Sequence, residues 1–128
     1  MTSWGRPTEW ETVATINATG KDVKIVCNSV FDTGAQKTII SNDARLAIKA
    51  EKAGQIKNKM PDGEEITNTC FIDIEFENGV RLQNIEAIIT KHDIKCAVAF
   101  GMNVITLGDF HSFRDSDGLY KCTFTLYP

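Results

Sequence analysis

The feature that most constrains this chain is a carboxylate directly after an apolar run, in Val30-Phe31-Asp32-Thr33-Gly34-Ala35. A charged Asp at the end of a buried strand costs free energy unless hydrogen bonds satisfy it. Gly34 has no side chain, so its backbone N–H can approach the Asp32 carboxylate closely, and Thr33 adds a hydroxyl donor. These residues predict either a chemically active acid or an Asp that only caps the turn at the end of a strand.

A second segment repeats this plan without the acid. Ala97-Val98-Ala99-Phe100 is a continuous apolar strand that ends at Gly101, and Met102-Asn103-Val104-Ile105 continues as a largely apolar segment. Both segments therefore share the order apolar strand, glycine turn, apolar segment. The triplet Asp-Thr-Gly occurs once in the chain. Two Asp-Gly pairs, at Asp62 and Asp117, belong to polar turns with no apolar strand before them.

Most of the remaining sequence is typical of β-strands. Alternating or apolar runs predict strands at residues 12–17, 23–27, 69–76, 80–90 and 120–127. Turn signals separate them at residues 18–22, 61–63, 78–79 and 115–118. The fold class predicted from these patterns is mainly β.

Two segments favour helix. Residues 41–53 predict one longer helix, because apolar residues recur at helical spacing, Ser41 or Asn42 can cap it and Gly54 fits its end. Residues 101–107 predict one or two helical turns. We therefore expect one mainly β domain with one or two short helices over residues 12–128, after a leader of residues 1–11.

Composition excludes several classes of protein. The 128 residues, 42% hydrophobic and 24% charged, suit one domain with one core. No apolar run approaches the ~20 residues of a membrane span, and the start lacks the basic and apolar stretches of a signal peptide. A net charge of −3 without a basic stripe argues against nucleic acid. We expect a cytoplasmic protein with neither a membrane nor a nucleic acid as partner.

The cysteines give no sign of a metal site. Cys27, Cys70, Cys96 and Cys122 form no CxxC pair, and the two His residues lie outside zinc-like spacing. The simplest interpretation is four reduced thiols that pack as small hydrophobes in strands. A structural zinc or a disulfide framework is the alternative.

Taken together, the two glycine motifs resemble those of the retropepsin-like aspartic proteases, the single-lobe relatives of pepsin that include the retroviral proteases. The resemblance is carried by Val30-Phe31-Asp32-Thr33-Gly34-Ala35 and by residues 99–105, in that order. Leu107-Gly108-Asp109-Phe110 and the closing residues 124–128 are more similar to small bacterial members. Over roughly residues 12–128 this implies a single-lobe closed β-barrel of the acid-protease fold, homodimeric and without a cofactor or metal.

The resemblance also implies a mechanism. Two Asp32 carboxylates, one from each chain, hold a water between them; one takes its proton while the other, protonated, polarises the scissile carbonyl. Carboxylates about 3 Å apart cannot both ionise, so the pair shares a proton. Because each chain has one triplet, the catalytic site requires a homodimer with a twofold axis through it. Thr33 matches the family position that hydrogen-bonds across this axis, and Gly34 completes the triplet.

The implied substrate is an extended peptide of about six to eight residues, bound as an added strand. Ala35 and Gln36 follow the triplet, and Gln36 can hydrogen-bond the substrate backbone. Residues 57–65 stand where the family has its flap, a β-hairpin that folds over the peptide. The flap residues expected to contact substrate are Met60, Pro61, Asp62 and Gly63. The alternative is an exposed turn that never touches substrate.

Some residues depart from the retroviral pattern. Gln36 and Lys37 stand where that pattern has acids, and Met102 stands where it has Arg. The Asp–Arg pair that braces the retroviral dimer therefore cannot form. Two other hypotheses remain: a catalytically weak or inactive module of the same fold that dimerises or binds peptides, and an unrelated small β-barrel adaptor.

Overall fold

The computed structural model describes residues 9–126, and residues 58–60 by their backbone only. Most of the predicted leader and the last two residues lie outside this range. The elements in chain order are β1 Glu9–Ala18, β2 Lys24–Asp32, β3 Thr38–Ile40, α1 Asn42–Ala47, β4 Gly54–Met60, β5 Gly63–Phe76, β6 Arg81–Ile89, β7 Val98–Phe100, α2 Met102–Ile105, β8 Gly108–Arg114 and β9 Tyr120–Leu126.

Six of these strands close into a barrel. The sheet order is β1-β2-β7-β3-β6-β5-β4, and β1 pairs back with β5, from Ala14 opposite Phe76 to Ala18 opposite Ile72. The barrel is therefore β1-β2-β7-β3-β6-β5, and β4 lies outside it. Strand β1 begins at Glu9, before the predicted start of the domain at Thr12.

Strand β7 separates two strands that are consecutive in the chain. It pairs parallel with β2, with Val30 opposite Ala99, and antiparallel with β3, with Ile39 opposite Ala99. Its three residues are all buried. Their buried environment explains the continuous apolar run, since such a strand has no face for polar residues.

The core inside the barrel is largely aromatic at one end. The Phe31 ring packs against those of Phe76, Phe100, Phe110 and Phe124, with centroids 5.3–5.5 Å apart. Phe110 and Phe124 come from β8 and β9, which form a separate two-stranded sheet. These two side chains therefore attach the second sheet to the barrel.

The prediction of a mainly β fold with one or two short helices is confirmed, since two are present. The predicted helix over residues 41–53 is too long. Ser41 does cap α1, since its hydroxyl accepts from the N–H of Ala44 at 3.1 Å, but the helix ends at Ala47. Lys49 then adopts a left-handed φ of 56°. The N–H groups of Lys49 and Ala50 donate to the carbonyls of Leu46 and Arg45, which is the Schellman termination.

Lys49 occupies the position that glycine normally takes in this motif. A left-handed conformation costs a residue with a Cβ roughly 1 kcal/mol. We therefore expect Lys49→Gly to raise the free energy of unfolding, by up to about 1 kcal/mol, in urea titrations. The matched control is Lys52→Gly, at an exposed residue without a positive φ, which is expected to lower it. Equal effects of the two substitutions would contradict this account.

A half-buried carboxylate secures the irregular part of the barrel. The pairing of β5 with β6 shifts between Ile72 and Ile74. Asp73 Oδ1 accepts from the Thr19 hydroxyl at 2.8 Å and from the Asn84 N–H at 3.0 Å, and Oδ2 accepts from the Asn17 amide at 3.2 Å. Burial by itself raises the pKa of Asp73, but these hydrogen bonds outweigh it, so the pKa lies below its usual value.

A lowered pKa means that ionised Asp73 stabilises the folded state. We expect Asp73→Asn to lower the free energy of unfolding at pH 7 by about 1 kcal/mol. The wild type's advantage is complete above the ordinary Asp pKa of about 3.9. As the pH falls below this value and through the lower pKa of Asp73 in the folded state, the difference in free energy of unfolding between wild type and Asp73→Asn decreases. Urea titrations at several pH values measure this difference, with the exposed Asp22→Asn as control. A difference that grows towards low pH would contradict the assignment.

Candidate functional site

The Asp32 side chain lies at the carboxyl end of β2, half-buried at the start of a surface loop. The Gly34 N–H donates to Asp32 Oδ1 at 2.8 Å, the approach expected from the sequence. A Cβ on Gly34 would lie 3.2 Å from the same oxygen. The loop therefore supplies a backbone donor to the carboxylate, while Thr33, Gly34 and Gln36 remain exposed.

The second glycine motif fastens this loop. The N–H groups of Met102 and Asn103 donate to the carbonyls of Ala35 and Gln36, at 2.8 and 3.1 Å. A Cβ on Gly101 would lie 2.5 Å from the carbonyl carbon and oxygen of Lys37. Only glycine permits this contact, so the two motifs that the sequence pairs by pattern are also joined in space.

Asn103 has a positioning role that the sequence reasoning missed. Its Oδ1 accepts from the N–H and the hydroxyl of the fully buried Thr38, at 2.9 and 2.8 Å. Its Nδ2 donates to the Glu86 carbonyl at 3.0 Å. One side chain therefore links α2, β3 and β6 beside the Asp32 loop. The one indication of this role in the sequence is that Asn103 is the single amide within an otherwise apolar segment.

A row of apolar side chains crosses the outer face of the barrel beside Asp32. Pairing places Val30, Ala99, Ile39 and Ile88 side by side on four adjacent strands, β2, β7, β3 and β6. The neighbours of these residues along each strand are buried, so the row itself points away from the core. Val30, Ile39 and Ile88 are half-buried there, and the small Ala99 between them is buried. We call these four residues the outer row. Val30 is two residues before Asp32, so the row starts beside the carboxylate.

The residues predicted as a flap form a hairpin. Strands β4 and β5 pair from Gly54 opposite Thr69 to Met60 opposite Gly63, with Pro61 and Asp62 as the turn. Gly63 has a φ of 139°, which other residues rarely adopt. The Met60 side chain lies outside the described part of the chain. The hairpin leaves the barrel at Thr69, which pairs with Ile88 at the end of the outer row.

The surroundings of the four cysteines favour the protonated thiol. All four cysteines are free thiols, and burial raises the pKa of each, that of Cys70 to about 11. They are therefore protonated at neutral pH and are poor nucleophiles. Within residues 9–126, the His, Cys, Asp and Glu side chains described form no group of three that could hold a metal. No helix in that range is long and apolar enough to span a membrane.

Comparison with family models, curated proteins and solved structures gives no match for this chain. The case for a function therefore rests on the geometry of the Asp32 loop and its surroundings.

The network around Asn103 can be tested by stability. Asn103→Leu keeps the approximate volume but leaves the buried N–H and hydroxyl of Thr38 without their acceptor. We expect a loss of about 2–3 kcal/mol in the free energy of unfolding. The control is Thr106→Ala, one turn further along and exposed, for which about 0.5 kcal/mol or less is expected. Similar losses in the two variants would show that Asn103 does not join the motifs.

Proposed function

We propose that this chain is a retropepsin-like aspartic endopeptidase that acts as a homodimer. The observation that carries the proposal is the Asp32 carboxylate at the end of a barrel strand, held by the Gly34 N–H at 2.8 Å. The loop around it is exposed in the single chain, so a second copy can approach the acid. A strand-end cap alone would not require the close contacts that join this loop to the Gly101 motif.

The hydrogen bonds that join the loop to α2 support a catalytic role. Catalytic groups act best when the protein holds them in position before substrate arrives. The carbonyls of Ala35 and Gln36 are both hydrogen-bonded to α2, and Thr38 is fully buried. The chain on the far side of Asp32 is part of β2, paired with both β1 and β7. The carboxylate is therefore supported from both directions along the chain.

The chemistry then follows from two such carboxylates facing each other about a twofold axis. Because both cannot ionise at about 3 Å, the pair holds one proton. The ionised Asp32 accepts a proton from a bound water, and the protonated Asp32 donates to the scissile carbonyl oxygen. The water oxygen attacks the carbonyl carbon, and the resulting tetrahedral intermediate collapses as the amine leaves with a proton. Thr33 matches the position that hydrogen-bonds across this axis in the family that the chain resembles.

The outer row and the hairpin suit an extended peptide. The half-buried side chains of Val30, Ile39 and Ile88 offer a floor for apolar substrate residues next to the acid. Strands β4 and β5 rise from the far end of this row. Beyond Thr69 they pair only with each other among the described strands, as a movable flap must. We therefore expect cleavage between apolar residues of an extended segment.

The decisive substitution is Asp32→Asn, which keeps the shape but removes the acid. We expect cleavage of a peptide mixture, followed by mass spectrometry, to fall by about 10²–10⁴-fold. The exposed Asp22, in the turn between β1 and β2, provides the control variant Asp22→Asn, which is expected to cleave normally. Undiminished cleavage by Asp32→Asn would end the proposal.

Mixing the two proteins tests the homodimer directly. Adding excess Asp32→Asn protein to wild type should suppress cleavage, because mixed dimers have only one acid. Dilution should likewise lower the rate per chain. Cleavage by a confirmed monomer would contradict the shared site. A dimer that binds peptides but cleaves none would instead indicate the non-catalytic module.

A further inference from the structure

Two carboxylates of β1 lie on the same outer face as Asp32. Glu9 is directly opposite Asp32 in the β1–β2 pairing, and Glu11 is directly opposite Val30. Directly opposed residues of antiparallel strands point to the same side. Trp10, between the two Glu residues, is buried in the core. Glu9 and Glu11 are both exposed and continue the outer row on the side of β1.

These carboxylates have no cationic partner within the described residues. The ion pairs there join Lys21 to Glu51, Lys37 to Glu86, Arg81 to Glu75, and Lys121 to Asp115 and Asp117. Burial is the main cause that raises the pKa of Cys96, and the charges of Glu9 and Asp32 raise it further. The negative potential of this corner therefore extends to neighbouring side chains.

The two ends of the outer row therefore differ in charge. On the side of β3 and β6 it presents Ile39 and Ile88, and the nearby Lys37 and Glu86 neutralise each other at 2.7 Å. On the side of β1 it presents Glu9 and Glu11, which form no ion pair with any residue that the structure describes. A peptide that lies across the barrel beside Asp32 thus meets apolar surface in one direction and negative charge in the other.

Resting on the proposed function, we infer that Glu9 and Glu11 are specificity-determining residues that select peptides carrying Lys or Arg beside the apolar cleavage point. The apolar outer row supplies the contact for the central residues, and the two acids attract a cation a short distance along the peptide. Attraction between exposed charges is modest and is screened by salt. The expected effect is therefore about three- to tenfold in kcat/KM at low ionic strength.

The test uses three peptides that share the best-cleaved centre from the peptide mixture and carry Lys, Gln or Glu at both ends. Wild type is expected to cleave the Lys peptide about three- to tenfold faster than the Glu peptide, and less selectively at about 0.5 M salt. The double variant Glu9→Gln, Glu11→Gln should lose this ratio. Glu51→Gln should keep it, because Glu51 pairs with Lys21 in the turn at the opposite end of β1.

A charge-reversed variant, Glu11→Lys, should shift the preference towards the Glu peptide, and it keeps the test open if the double variant fails to fold. Wild type that cleaves all three peptides equally would overturn this inference and leave the proposed function intact. A preference for the Lys peptide that persists in both the double variant and Glu11→Lys would also overturn the inference, because another residue would then determine the preference. Failure of wild type to cleave any peptide would overturn the proposed function and this inference with it.

Discussion

The arrangement around Asp32 depends on the insertion of β7 between β2 and β3. Three buried residues pair in parallel with one neighbour and antiparallel with the other. This insertion brings Gly101 against the carbonyl of Lys37, so the loop after β2 and the turn after β7 occupy one end of the barrel. Without β7, the two glycine motifs would be separate turns with no common geometry. A short buried strand thus places the candidate site as well as closing the barrel.

Much of the fold was predictable because it depends on local periodicity. Alternation over residues 72–76 within an apolar run identifies one half of β5, and Asn78-Gly79 identifies the turn after it. The extent of α1 was not predictable, because apolar spacing continues after Ala47 while the backbone turns at Lys49. The spacing of apolar residues does not reveal that Lys49 adopts a left-handed backbone conformation. Tertiary packing decided that boundary.

Some residues of the candidate site were likewise predictable from the sequence, and others were not. Asp32 and Gly34 were recognisable because an acid after an apolar run needs a donor, and glycine lets the backbone supply one. Asn103 was not recognisable, since its partners Thr38 and Glu86 are remote in the chain. The position of Glu9 beside Asp32 was also hidden, because it depends on strand register rather than on composition. Long-range pairing is the information that a single sequence expresses least.

The hairpin of β4 and β5 has a thermodynamic consequence. Isolated two-stranded ribbons are only marginally stable in water, and the outer half of this one has no third strand among those described. One hydrogen bond to another segment comes from the Lys91 ammonium, which donates to the Ile66 carbonyl at 2.9 Å. The ribbon can therefore unzip from its tip at a small fraction of the cost of global unfolding. Opening of this arm therefore does not require the barrel that carries it to unfold.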